Sequence, residues 1–217
     1  MEKLNLEKLN LREIRLRLQA PFETSFGQAF DRRILIVTVT DSDGNTGYGE
    51  CTAPGAPFYS HETIDTAWTV ISKYIAPLLT DTKPGTAAEV HDYLSAIKGN
   101  RMAIGGVEAA IWDLEAKKAD KPLWEHLGGT RAEIQCGVSI GIHATPEILV
   151  EKVRLEVESG YQRIKLKIKP GKDLEFVSAV RSEFPDIRLS VDANSAYELE
   201  RDLDVLKKLD DFDLLMV

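Results

Sequence analysis

The chain has 217 residues, 43% apolar and 29% charged, a length and composition that suit one large globular domain or two small ones. A net charge of -8 excludes a nucleic-acid surface, which needs a surplus of Lys and Arg. No apolar run approaches the length of a membrane span, the charged start Met1-Glu2-Lys3-Leu4-Asn5 shows no continuous apolar run, so a signal segment is not expected, and Cys51 and Cys136 stand apart without a Cys–His ligand pattern. The expectation is a cytoplasmic protein with two reduced thiols, off the membrane.

In chain order, residues 11–18 alternate imperfectly as a strand, and 33–39 form a stronger one. Asp41-Ser42-Asp43-Gly44-Asn45 supplies turn chemistry, and Gly47-Tyr48-Gly49-Glu50-Cys51 returns as a third strand, so a small antiparallel meander is predicted. Residues 61–80 place Ile64, Ala67, Ile71, Ile75 and Leu78 at helical spacing, and a second helix is expected at 87–97. The strongest helical pattern runs over 106–119, through Val107, Ala110, Ile111 and Leu114. Lys121-Pro122 ends it, and 123–127 predicts a short helix closed by Gly128-Gly129.

After Gly129 the rhythm changes. Strand centres fall near Val138, Leu166, Val191 and Leu215, with helical patterns at 146–158, 173–183 and 199–209 between them. Repeated βα units of this period predict a parallel sheet with right-handed crossovers. An open doubly wound sheet is one solution, although no Gly-x-Gly-x-x-Gly follows any strand. A (β/α) barrel is the other, and its eight units need roughly 200 residues or more, whereas 88 residues follow Gly129. The last predicted strand, 212–217, is apolar and ends the sequence with an open edge. The expectation is therefore the first part, about half, of a barrel belonging to a larger enzyme.

Chemistry concentrates on the second and third of these strands. Lys165 and Lys167 share one face, and Ile164, Leu166 and Ile168 the other. In a barrel the lysines face the lumen near its C-terminal mouth, where barrel enzymes react; alone, Lys-x-Lys also fits a solvated edge strand. Asp192 and Asn194 likewise share a face and interrupt the apolar run Leu189-Ser190-Val191. Asp192 reads equally as a helix N-cap or as a site carboxylate. Taken together, a carboxylate can hold a divalent metal, and a lysine on the next strand can reach a substrate on that metal. Removing a proton next to a carboxylate builds an enediolate dianion, which such a cation stabilises. Lys167 would abstract the proton, tuned by Lys165.

These motifs resemble the enolase superfamily, in its mandelate racemase and muconate-lactonizing branch, and within it the o-succinylbenzoate synthase / N-acylamino acid racemase group. The likeness runs through Ala20-Pro21-Phe22-Glu23-Thr24-Ser25-Phe26-Gly27, Gly47 to Cys51, Ala56-Pro57-Phe58-Tyr59-Ser60, Ala109 to Leu114, Leu127-Gly128-Gly129, Cys136 to Gly141, Arg163 to Lys167 and Val191-Asp192-Ala193-Asn194. Enolase-type chemistry, a Lys or His base working with Mg²⁺, comes with that likeness. It implies an α+β capping domain over residues 1–130, then the first βα units of a TIM-like barrel over 131–217. It also implies that Lys167 is the acid/base lysine with Lys165 its partner, and that Asp192 is the first of three metal carboxylates, with Asn194 beside it. Phe22, Ser25 and Phe26 match the first loop that closes over substrate, Tyr59 the second, and Ser139 a position lining the pocket. Phe22 and Phe26 can also be read as ordinary core of the cap, and Tyr59 as an ordinary turn residue. The remaining carboxylates and the second catalytic lysine are expected after Val217. The implied activity is a Mg²⁺- or Mn²⁺-dependent dehydration of a cyclohexadiene carboxylate in menaquinone biosynthesis. The alternatives are N-acylamino acid racemisation, dipeptide epimerisation, muconate cycloisomerisation, or an inactive fragment. The partners implied are a small-molecule carboxylate and, at full length, further copies of the chain.

Overall fold

A computed structural model describes residues 4–217; Met1, Glu2 and Lys3, on which part of the signal-segment reading rests, lie outside the described residues. The chain gathers into two compact units. One takes the residues up to Arg17 together with Asp31–Arg131, the other Leu18–Phe30 together with Ala132–Val217.

β1 (Leu6–Thr24), β2 (Gly27–Asp41) and β3 (Thr46–Cys51) form a sheet in that order, all of it in the first unit except residues 18–30 at the β1–β2 tip. The predicted strands at 11–18 and 33–39 are the inner parts of much longer ones. β1 buries little of either face, so no apolar alternation marks its ends. β2 and β3 pair antiparallel with Val37 opposite Gly49. The turn between them is held by Asp41, whose Oδ1 accepts from the amides of Asp43 (3.1 Å) and Asn45 (2.8 Å).

The helical run predicted over 61–80 is α1 (Ile64–Val70), a π-helical stretch at Ile71–Ile75, and α2 (Ala76–Thr82). It starts after Thr63 because Thr63 and Thr66 form a reciprocal capping box. α3 (Ala87–Leu94) follows, capped by Thr86. α4 (Arg101–Lys118) begins five residues before the predicted start at 106. The buried Glu62 carboxylate accepts from the amides of Met102 and Ala103, which satisfies the first turn and lets the helix start there. Gly49 and Gly106 let β3 lie against the helix backbone: a Cβ on Gly49 would stand 2.1 Å from the Gly106 carbonyl oxygen, and one on Gly106 3.0 Å from Cys51. α5 (Leu123–His126) ends at Gly128, whose φ is +82°. The core is Leu35, Val37 and Val39 of the sheet against Ile71, Val107 and Ile111, all essentially inaccessible.

In the second unit, β4 (Gly137–Ile140), α6 (Pro146–Glu158), β5 (Arg163–Lys167), α7 (Leu174–Glu183), β6 (Arg188–Asp192) and α8 (Leu199–Leu209) alternate, and the strands form a parallel sheet in chain order. Ile164, Leu166 and Ile168 are fully buried in one apolar cluster with Val153 of α6 and Val177 and Val180 of α7. The strand expected at 212–217 is corrected. Residues 210–212 form one 3-10 turn, and only a single parallel bridge joins Met216 to Ser190. The Arg181 guanidinium donates to the carbonyls of Phe212 (2.9 Å) and Asp213 (3.0 Å), which holds that stretch in a turn. Two hydrogen bonds, Leu215 N to Leu189 O and Val191 N to Met216 O, remain from the expected pairing.

Candidate active site

The parallel register decides which side chains meet. Ser139 lies opposite Lys165, which lies opposite Ser190, and Lys167 lies opposite Asp192 at the C-terminal ends of β5 and β6. With Ile164, Leu166 and Ile168 committed to the core, both lysines project from the other face. There Lys165 Nζ and Lys167 Nζ donate to the same oxygen, Asp192 Oδ2, at 2.9 and 2.7 Å. Lys167 Nζ also donates to Asn194 Oδ1 at 2.8 Å. The Lys167 side chain is only 9% exposed, against 36% for Lys165.

The solvated-edge reading of Lys-x-Lys therefore fails for Lys167. The N-cap reading of Asp192 fails too, because α8 starts seven residues later, behind Glu198. Asp192 instead closes a local turn: its Oδ1 accepts the Asn194 amide at 2.9 Å, and Asn194 sits at φ +49°, a left-handed conformation that Asn tolerates better than most residues. Burial works against the Asp192 charge, but the hydrogen bonds from Lys167 and Lys165 outweigh it and hold the carboxyl far below the ordinary carboxylate range.

Ser139 Oγ is buried and has no hydrogen-bond partner among the described residues. An unsatisfied buried hydroxyl is costly, and this one stands on the strand position opposite Lys165. Ser25 Oγ donates to the Ala193 carbonyl at 2.6 Å, between Asp192 and Asn194. Phe22, half-buried, approaches Gly141, where an added Cβ would meet its ring at 3.4 Å. Phe26 is 52% exposed, which removes the core reading for it. Tyr59 belongs to the first unit and is 61% exposed, in a stretch without strand or helix. The structure thus brings together Lys165, Lys167, Asp192 and Asn194, and sets Ser25 and Ser139 beside them.

Two residues of this region escaped the sequence reading. Lys169 continues the 165/167 spacing, a signal that was available, and pairs with Glu23 at 2.9 Å. Glu23 stands in a segment whose fold no local pattern reveals. A cleft of about 330 Å³ lies elsewhere, by the N-terminal end of β6, lined by Arg181, Arg188 and Leu214 among others.

As donors to a carboxylate, the two amines are ammonium ions that can deliver a proton. To take one, Lys167 has to give up its bond to Asp192 and lose one of its own protons, because only the neutral amine has a free lone pair. For a divalent metal the fit is incomplete. Mg²⁺ wants several well-placed oxygens, and among the described residues no three His, Cys, Asp or Glu side chains are grouped to hold an ion. Asp192 is one such ligand at most.

Residues 8–128 match the mandelate racemase / muconate lactonizing enzyme N-terminal domain family, and residues 149–217 match the enolase C-terminal domain-like family. The chain is 44% identical to an o-succinylbenzoate synthase of Geobacillus kaustophilus over 99% of its own length and 57% of the relative's. It is 41% identical to an N-succinylamino acid racemase of an Amycolatopsis species, over 99% of this chain and 58% of that one. A solved enolase-superfamily structure from Listeria innocua superposes with a TM-score of 0.91 at 41% identity, covering 97% of this chain and 57% of that chain. The chain thus spans a little over half the length of the relatives it matches.

Proposed function

Because the chain belongs to the mandelate racemase / muconate lactonizing enzyme family, with an α+β N-terminal portion followed by the first βα units of a (β/α) barrel, we propose that it serves an o-succinylbenzoate synthase. The reaction is loss of water from a cyclohexadiene carboxylate in menaquinone biosynthesis. The observation that carries this reading is the convergence of Lys165 and Lys167 on Asp192 at the ends of adjacent parallel strands.

In the proposed mechanism Lys167, freed of Asp192 and having given one proton to solvent, takes as a neutral amine the proton next to the substrate carboxylate. In a syn elimination the same ammonium then delivers a proton to the departing hydroxide. Lys165 is the partner lysine that tunes Lys167. Asn194 orients Lys167, Ser139 offers its unpartnered hydroxyl to the substrate, and Phe22, Ser25, Phe26 and Tyr59 enclose it. A divalent cation, Mg²⁺ or Mn²⁺, enters this proposal through Asp192 alone, and no step here runs through it. Residues 1–130 act as the capping domain and 131–217 as the barrel portion of a cytoplasmic, homo-oligomeric enzyme.

Racemisation of N-acylamino acids is the alternative chemistry, favoured by the identity to the Amycolatopsis racemase. A non-catalytic role for the 217-residue chain on its own is a second reading, favoured by the lone site carboxylate. The chain is assayed alone and mixed with the C-terminal segment of the Geobacillus relative, for dehydration of the cyclohexadiene carboxylate and for deuterium exchange at the α-carbon of an N-succinylamino acid. Dehydration by the mixture, reduced ~10²–10⁴-fold by Lys167→Ala, is the expected result. Near-unchanged turnover of that variant would overturn the assignment, exchange without dehydration would favour the racemase, and silence in both assays the non-catalytic reading.

A further inference from the structure

The tip of the β1–β2 hairpin is fastened to the ends of all three parallel strands. After β4, the Ile142 amide donates to the Glu23 carbonyl at 3.0 Å. After β5, Lys169 Nζ pairs with the Glu23 carboxylate at 2.9 Å. After β6, the Ala193 carbonyl accepts from Ser25 Oγ at 2.6 Å. Gly141 permits the approach, since a Cβ there would already lie 3.2 Å from the Glu23 backbone.

Lys169 itself is held rigidly. It opens a tight turn through Pro170-Gly171, closed by Lys172 N to Lys169 O at 2.8 Å and Lys169 N to Lys172 O at 3.3 Å, with Gly171 at φ +79°. Lys172 is anchored in turn, its Nζ donating to the His143 carbonyl at 2.7 Å. So the lysines at 165, 167 and 169 lie at alternate positions but divide their work: the first two serve Asp192, the third serves the hairpin tip.

We propose that Lys169 is a positioning residue whose ion pair with Glu23 latches the hairpin tip, and so fixes Phe22 and Ser25 at the mouth of the site. The importance of this for turnover rests on the function proposed above; the latch itself does not. Of the three attachments, this pair alone is a long-range link between two charged side chains, and each is about one-third exposed or less. It is therefore the attachment that a substitution can break without touching the backbone.

The test is amide hydrogen exchange of the 217-residue chain, read without substrate over residues 18–30, with residues 101–118 of α4 as the internal control for folding. Glu23→Gln and Lys169→Met should each speed exchange of the tip roughly two- to fivefold. The double variant should be no faster than either single one, because both remove the same bond. Lys169→Arg, and the exchanged pair Glu23→Lys with Lys169→Glu, should keep the protection, while α4 stays unchanged in all of them. Unaltered exchange at the tip in the single variants, or accelerations that multiply in the double variant, would overturn the latch. Because no turnover is measured, a failed latch and a failed assignment of Lys167 as the base register separately.

Discussion

One oxygen of Asp192 accepts from two ammonium groups, and that arrangement has a pH signature. The folded carboxyl titrates below its unfolded value, so the ion pairs contribute fully above roughly pH 4 and are lost as pH falls through the lowered folded value. Asp192→Asn should shrink the acid limb of the second unit, to which the lowered carboxyls of Glu23, Glu147 and Asp202 also contribute, while lowering stability at neutral pH. Amide exchange of residues 163–169 as a function of pH reads both effects; an identical acid limb in the variant would dismiss Asp192 as a source of it. Ser139 behaves in the opposite sense. Its buried hydroxyl lacks a partner, so Ser139→Ala should raise stability by about 1 kcal/mol while weakening substrate binding. Thermal unfolding and KM, measured on the same variant, should move apart. Lys165, Lys167, Asp192 and Asn194 were legible beforehand because strand periodicity puts alternate residues on one face. The spacing also reached Lys169, but its pairing with Glu23 was not legible, because it joins residues 146 positions apart.

At the scale of elements, contact between β3 and α4 depends on the absence of side chains. A Cβ on Gly47 would lie 2.1 Å from the Ala110 carbonyl oxygen, and one on Gly49 the same distance from that of Gly106. Gly49→Ala should therefore cost about 3 kcal/mol through forced separation of strand and helix, measurable by chemical denaturation; a loss no larger than that of an exposed Gly→Ala change would contradict the packing. The strand glycines Gly47 and Gly49 and the helix glycine Gly106, whose added Cβ would lie 3.0 Å from Cys51, are together the reason strand and helix can dock. Arg181 has a comparable organising role in the second unit. Its guanidinium donates to the carbonyls of Phe184, Pro185, Ile187, Phe212 and Asp213. Arg181→Ala should release residues 210–217, seen as faster amide exchange there with α6 unaffected. Uniform acceleration across the whole unit would mean that Arg181 supports the core instead. That anchoring is also why the expected strand at 212–217 is only a turn followed by one bridge: the guanidinium ties the start of the segment that the apolar pattern assigned to the sheet.

For the molecule as a whole, each unit has its own apolar cluster, one around Ile111 and one around Leu166. Replacing either fully buried residue by Ala should cost about 2–5 kcal/mol, and the loss should appear first in the amide exchange of the unit that carries it. Local pattern was enough to establish the order of elements as far as α8, the antiparallel-then-parallel division, the core faces and the lysine and carboxylate positions. Those follow from periodicities of 2 and 3.6 and from turn chemistry, all of them properties of neighbouring residues in the chain. Long-range packing was needed to establish that residues 18–30 leave the unit in which their hairpin begins and group with the parallel strands. It was needed too for Asp192, which serves two lysines and caps no helix, and for Lys169, which serves Glu23. Each of those outcomes depends on which distant backbones come within hydrogen-bonding reach, and a residue's neighbours across space are set by packing, not by spacing along the chain.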